Sequence, residues 1–190
     1  SMYRRMLSVS SGLLLGVRGT PTLEWGSWFG RSYAAMMGVC ASGGFRKAEV
    51  SLAAGVTFDP MHLSRAHLFW VLDGTIFRSP SVVQLRAMRD GDLVGLVAVP
   101  CKNDPTGSAF MPHPLYFRFR RADPYCAALL LRDMVVNCWV EPAVMRTTPL
   151  FSTSSAGVPF RHGVVDKVLK VLLRTFLDEE EAKKYSWHSW

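Results

Sequence analysis

The sequence predicts an α+β fold that is mainly α-helical and carries a small three-stranded antiparallel sheet. Helical periodicity dominates both ends of the chain, whereas the middle holds three short segments with strand character. About half of the 190 residues are apolar (49%) and 19% are charged, which is typical of globular proteins and argues against a disordered chain. The length suits one domain, or one domain with a short extra arm.

The N-terminal part of the chain predicts a short helix and a connector. Arg4 and Arg5 followed by an apolar run resemble a signal peptide, but serines interrupt the run and no small-residue cleavage site follows. We therefore expect an amphipathic helix and an intracellular protein. No apolar stretch reaches the length of a membrane span, so no membrane partner is expected. We divide the chain into residues 1–30, the helix and connector, and residues 31–190, the main domain.

Two helices are predicted next, and the chain then changes its period. The first helix runs from Arg31 to a double glycine at 43–44, and the second runs from 45 to a stop at Gly55. Strands are expected in HLFWVLDG (67–74), which ends in an Asp-Gly turn signal, in DLVGLVAVP (92–100) and in PLYFRFRRAD (114–123). A short helical insert is expected between the first two strands.

The C-terminal third predicts helices again. Residues 125–140 and 160–177 have helical character, with a loop, RTTPLFSTSSAGVP, between them. The second helix has one apolar face and a basic stripe on another face. A solvated surface is the simplest explanation of that stripe. DEEEAKK (178–184) is expected to be a charged linker. The apolar face comprises Val165, Val168, Leu169, Leu172, Leu173 and Phe176, and the stripe comprises Lys167, Lys170 and Arg174.

The charge balance favours a polyanionic partner. The chain has 22 basic and 15 acidic residues, a formal net charge of +7, and most of its basic residues are arginine, whose guanidinium matches phosphate oxygens bidentately. A merely basic domain is the alternative. The four cysteines show no CxxC pair and are expected to be reduced thiols, and the five histidines show no metal-ligand spacing, so no metal site is predicted.

Three short stretches carry candidate chemistry. In SGGFRKAEV, Arg46 and Glu49 lie three residues apart at the start of a helix, where the helix dipole favours anions; a surface ion pair is the ordinary alternative. In VPCKNDPTG, Lys102 lies in a turn between two strand candidates, where lysines are usually solvated. In YSWHSW, His188 lies among large aromatic residues, where packing is its usual role.

Taken in order, these stretches resemble the catalytic domain of the tyrosine recombinases, the phage-integrase family of site-specific DNA strand-exchange enzymes. The family's first catalytic arginine lies in a TGLR..E segment, which Ser42 to Glu49 matches with Arg46. Its catalytic lysine lies on a hairpin of the sheet, and Lys102 is the one lysine between Lys47 and Lys167. The start of its H-x-x-R box is matched by His188, after which the 190 residues end.

The resemblance covers residues 31–190 and implies a recombinase catalytic domain that lacks its last helices. It implies that Arg46, Lys102 and His188 are catalytic, that Glu49 supports the site, and that Lys167, Lys170 and Arg174 lie on DNA. The partner implied is double-stranded DNA, with self-association of the full-length parent on DNA; because the energy is kept in a phosphotyrosine, no cofactor is expected.

The chain also departs from the family pattern. Arg46 and Lys102 are farther apart than is usual, and the second arginine and the nucleophile would follow His188. Tyr185 precedes the box, so we expect this chain to bind DNA without cleaving it. Two alternatives remain open: a non-catalytic DNA-binding relative or mobile-element remnant, and a basic helical protein-interaction domain.

Overall fold

The computed structural model describes residues 2–8, 23–59, 61–97, 99 and 113–186. In these residues the chain forms an α+β fold in which helices precede, follow and pack against an antiparallel sheet. The predicted class is thus confirmed. The sheet has four strands, whereas three were expected.

Two helices begin the chain. Helix α1 (Met2–Leu7) confirms the first part of the expected N-terminal helix and buries Met6; residues 9–22 lie outside the described residues. Helix α2 (Trp28–Gly43) begins where the Ser27 hydroxyl accepts a hydrogen bond from the Gly30 backbone N–H, 3.1 Å away. It ends at Gly44, which adopts the left-handed conformation (φ 69°) that glycine tolerates best. Most of α2 is buried, so it forms the centre of the core.

Helix α3 (Lys47–Val50) is much shorter than the helix expected up to Gly55. The helix ends because the backbone of Leu52, two residues after Val50, is paired elsewhere. The Leu52 N–H donates to the Phe160 carbonyl, and the His162 N–H donates to the Leu52 carbonyl, both at 2.9 Å. These bonds form a parallel bridge between Leu52 and Arg161. Because Leu52 pairs with a distant segment, the helix cannot continue.

The sheet has the strand order β2-β1-β3-β4, with all neighbours antiparallel. Its strands are β1 (Leu68–Leu72), β2 (Thr75–Phe77), β3 (Leu93–Leu96) and β4 (Leu115–Arg118). Strands β1, β3 and β4 confirm the three predicted segments. The Asp-Gly signal is confirmed as a hairpin turn with positive φ at both residues, and it leads into the unpredicted strand β2.

The two faces of the sheet carry different side chains. On one face Trp70, Val94 and Phe117 pair across three strands and are buried in the core. On the other face Phe69 pairs with Gly95, and a Cβ atom on Gly95 would lie 2.0 Å from the Phe69 ring. The ring is held there by Tyr116, edge-on at 5.6 Å between centroids. Glycine at position 95 is therefore required by this close approach.

The remaining helices follow the sequence pattern with one exception. Helix α4 (Val82–Arg86) confirms the short insert, and α5 (Ala127–Asn137) packs against α2. Helix α6 (His162–Leu173) buries the predicted apolar face: Val165, Val168, Leu169, Leu172 and Leu173. Phe176 follows the helix and is partly buried.

The expected charged linker is instead helix α7 (Glu179–Lys184), so that prediction was wrong. The Asp178 side chain caps the helix by accepting a hydrogen bond from the Glu181 N–H at 2.8 Å. Glutamates occupy the first turn and lysines the last, which complements the helix dipole, and Ala182 packs into the core. The cap, the order of the charges and the burial of Ala182 all favour a helix over a linker in this segment.

Three of the four cysteines lie in the described residues, and none of these three forms a disulfide bond: Cys40 and Cys138 are buried, and Cys126 is partly buried. Cys101 lies outside the described residues. Among the helices that the structure describes, none combines the length and apolar character that a membrane crossing requires.

The contact between Gly95 and Phe69 yields a stability prediction. Gly95→Ala should lower the free energy of unfolding by about 1–3 kcal/mol, because the new methyl group displaces a ring that Tyr116 holds in place. Gly163→Ala is the matched control. Gly163 lies in helix α6, and a Cβ atom there would meet nothing within 4 Å. It should leave stability unchanged or raise it by up to about 1 kcal/mol. Urea unfolding measures both; equal effects would contradict the packing described.

Candidate nucleic-acid interface

Arg46 lies in the turn between α2 and α3, with an exposed side chain. It is the N-cap residue of α3, in an extended conformation (φ −82°, ψ 155°) that directs the chain away from the preceding double glycine. The Arg46 guanidinium makes no hydrogen bond or ion pair with any residue that the structure describes. It is therefore available to a phosphate.

Glu49 supports the backbone of Arg46 and not its guanidinium. A carboxylate oxygen of Glu49 accepts a hydrogen bond from the Arg46 backbone N–H at 2.7 Å. This is the reciprocal half of a capping box, which fixes the entry of the chain into the helix. Within the described residues, the surface ion pair considered as an alternative for Arg46 and Glu49 is not formed.

The expected contribution of a helix dipole at Arg46 was overestimated. Helix α3 has four residues, a single turn, so few aligned peptide dipoles point at the anion position. Any attraction for an anion in this turn depends on the guanidinium itself. An arginine remains charged at physiological pH and offers two parallel N–H groups to a phosphate edge.

An ion pair joins the Arg46 turn to helix α6. The Lys47 ammonium lies 2.8 and 3.0 Å from the two carboxylate oxygens of Asp166. The side chains are 20% and 41% exposed, so solvent screens the pair only in part. The pair connects the residue after Arg46 with the residue before Lys167. It therefore joins the segment that carries Arg46 to the basic helix.

Further contacts hold the same two segments together. The backbone bridge of Leu52 with 160–162 is flanked by a bond between His162 Nε2 and the Ser51 carbonyl, at 3.1 Å. The Arg161 guanidinium donates to the Ala53 carbonyl at 3.0 Å and also to the Val56 carbonyl. The Arg161 guanidinium is thus occupied by backbone carbonyl groups, whereas that of Arg46 is not.

The basic stripe of α6 is exposed as expected. Lys167, Lys170 and Arg174 lie three and four residues apart, on one face of the helix, and all three side chains are exposed. Arg174 is paired with Glu179 at 3.0 Å. Lys167 and Lys170 have no ion-pair partner in the described part of the chain. The free positive charge of the stripe therefore lies in its first half, nearer the Arg46 turn.

The other two predicted catalytic residues, Lys102 and His188, lie outside the described residues. The structure does show that β3 and β4, the strands on either side of the Lys102 segment, are antiparallel neighbours. The structure also adds supporting residues that sequence reasoning missed: Lys47, Ser51, Arg161, His162 and Asp166. Their partners are more than a hundred residues away, so no local pattern could have indicated them.

Among the described residues, no group of three or more histidine, cysteine, aspartate or glutamate side chains could hold a metal ion. Comparison of the chain with protein-family models, with curated proteins and with solved structures found no match.

The role of Glu49 can be tested by stability. Glu49→Ala should lower the free energy of unfolding by about 1 kcal/mol, because the Arg46 N–H loses its acceptor. Glu141→Ala is the control: Glu141 also precedes a helical segment, the 3₁₀ helix Pro142–Thr147, but its side chain makes no capping bond. It should change stability by less than about 0.5 kcal/mol. Equal losses in chemical denaturation would show that the Glu49 bond does not hold the turn.

Proposed function

We propose that this chain is the DNA-binding part of a tyrosine-recombinase catalytic domain, in which Arg46 binds the phosphate that is to be cleaved. The observation that carries the proposal is the placement of Arg46. Its guanidinium is exposed and makes no ion pair within the described residues. The Lys47–Asp166 ion pair joins its turn to α6, whose lysines 167 and 170 have no ion-pair partner in the same residues. The ordered resemblance of three motifs to the recombinase family supports the same assignment.

Phosphodiester cleavage explains why a fixed arginine is needed. Attack by a tyrosine builds negative charge on the non-bridging phosphate oxygens, and preorganised cationic donors stabilise that charge. Glu49 fixes the backbone from which the Arg46 side chain extends, and a bound phosphate would order the exposed guanidinium itself. In the proposed mechanism Lys102 protonates the leaving 5′ oxygen and His188 assists proton transfer from the nucleophile.

Helix α6 supplies the proposed contact with the DNA backbone. Lys167 and Lys170 are exposed point charges that neutralise phosphates without reading sequence, and Arg174 is partly neutralised by Glu179. The net charge of +7 gives the chain a long-range attraction for duplex DNA. We expect the full-length parent to self-associate on DNA, inside the cell, and to use no cofactor.

Salt-dependent DNA binding tests the proposal. The chain should bind duplex DNA at low salt, and Lys167→Ala/Lys170→Ala should reduce the slope of log K against log salt by about 0.9 for each lost phosphate contact. Lys183→Ala/Lys184→Ala removes the same charge from α7 and is the matched control. Fluorescence anisotropy over a salt series measures the slopes.

Two outcomes would contradict this interface. If both double variants lower the slope equally, net charge and not α6 accounts for binding. If the unmodified chain does not bind duplex DNA at low salt, the protein-interaction alternative gains support. Binding that is lost specifically in the α6 variant also fits a non-catalytic DNA-binding relative, because both interpretations place the same lysines on the DNA backbone.

A nicked suicide substrate tests the expectation about cleavage. Because no tyrosine follows His188 in the 190 residues, the chain should form no covalent complex with the DNA. Denaturing gel electrophoresis detects a complex directly. A trapped complex that disappears in Tyr185→Phe would overturn the expectation and identify Tyr185 as a nucleophile.

A further inference from the structure

A histidine closes the turn that precedes strand β1. His67 is the last residue of a short 3₁₀ helix (Arg65–His67), and its ring reaches back to Ser64, the residue before that helix. The Ser64 backbone N–H donates a hydrogen bond to His67 Nδ1 at 3.0 Å, and the Ser64 hydroxyl oxygen lies 2.9 Å from the same nitrogen. The imidazole therefore takes the place of the side-chain acceptor of a capping box.

The bond to Ser64 requires the neutral form of the imidazole. A backbone N–H can only donate, so Nδ1 of His67 carries a free lone pair and the ring proton lies on Nε2. In the imidazolium both ring nitrogens carry a proton, and Nδ1 would then face the Ser64 N–H as a second donor. Because Ser64 is buried, its N–H would be left without an acceptor in the closed turn. Protonation of His67 is thus incompatible with this geometry.

The charged groups around His67 also disfavour the imidazolium. Arg146, in the 3₁₀ helix after α5, and Arg78, directly after β2, both act on the ring, and Arg65 belongs to the same turn. Of the charged groups in the described residues that act on the ring, none is acidic. Burial, the largest cause, and these positive charges lower the pKa of His67; a backbone contact with Ser64 opposes the shift only in part.

The turn also pairs with a distant segment, residues 148–150. The Arg65 N–H donates to the first carbonyl group of that segment at 3.0 Å, and the Leu150 N–H donates to the carbonyl group of the residue before Ser64 at 2.9 Å. Between these two bonds, Ser64 forms an antiparallel bridge with the middle residue of the segment. Because His67 fixes Ser64, the pairing depends on the state of the imidazole.

We propose that the 64–67 turn is a pH-sensitive switch, which the neutral imidazole of His67 keeps closed and which protonation of His67 opens, releasing its pairing with residues 148–150. The closed turn binds the proton more weakly than the open turn does. The closed form is therefore most stable above the ordinary histidine pKa of about 6.5, and it loses stability as the pH falls below that value. The switch is independent of DNA binding.

Amide hydrogen exchange of Arg65 and Leu150 measures the opening directly, because these two N–H groups bridge the paired segments. After correction for intrinsic exchange rates, the opening constant should rise severalfold between pH 7.5 and pH 5.5. The ordinary histidine pKa sets an upper limit of about tenfold. The Phe119 amide, which donates to the Asp92 carbonyl at 2.8 Å, is the internal control and should not follow. An equal rise at Phe119 would show general acid destabilisation and overturn the proposal.

Nitrogen NMR of the histidine rings tests the switch without a substitution. His67 should be the Nε2–H tautomer at pH 7.5, and its protonation should coincide with the rise in amide exchange. An Nδ1–H tautomer would contradict the hydrogen bond on which the switch depends.

Two variants complete the experiment. His67→Asn keeps an acceptor near the position of Nδ1 without a titrating group, and it should abolish the pH dependence of exchange at Arg65 and Leu150. His113→Asn removes an exposed histidine and should retain that dependence. An unchanged pH dependence in His67→Asn would overturn the proposal. If His67→Asn does not fold, the tautomer of His67 and the comparison of amides in the unmodified chain still decide.

Discussion

Two backbone hydrogen bonds at Leu52 determine how the candidate interface is built. They pair the chain after α3 with residues 160–162, just where α6 begins, and so join segments more than a hundred residues apart. Lys47 and Asp166 add an ion pair beside this bridge. These contacts are made by the backbone and by neighbouring side chains. The Arg46 guanidinium itself makes no hydrogen bond or ion pair with any described residue. The same bridge also limits α3 to a single turn.

The core makes this arrangement rigid. Eleven of the sixteen residues of helix α2 are buried, and the helix is capped at Gly44, shortly before the Arg46 turn, so the turn follows a packed helix. Helix α6 buries five large aliphatic residues on one side, which leaves its basic stripe on the other side facing solvent. Burial of that much apolar area outweighs any single surface charge in deciding the orientation of the helix. The exposure of Lys167 and Lys170 therefore follows from packing.

Local signals predicted much of this fold. The 3.6-residue period located α6, and the Asp-Gly pair located the first hairpin, because both depend on neighbours in sequence. Strand β2 was missed since it has three residues at a sheet edge, two of them exposed, which leaves no alternation to detect. Helix α7 was missed because its charges resembled a linker, although Asp178 and the order of acidic and basic residues satisfy the rules for a capped helix. At the site, Arg46 and the basic stripe of α6 were each predicted from the sequence. The contacts that join their two segments, the Lys47–Asp166 pair and the Leu52 bridge, link residues more than a hundred positions apart and could not be predicted from local patterns.

The central claim is that Arg46 and the first half of α6 contact one duplex. Side-chain Nε–H signals of the arginines, followed by NMR while a short duplex is added at low salt, test it most directly. Arg46 should shift together with the backbone amides of residues 166–170, whereas Arg161, which is occupied by carbonyl groups, and Arg86 on α4 should not. If Arg46 stays unchanged while DNA binds, the phosphate contact lies elsewhere, and the assignment of Arg46 to the reacting phosphate is contradicted.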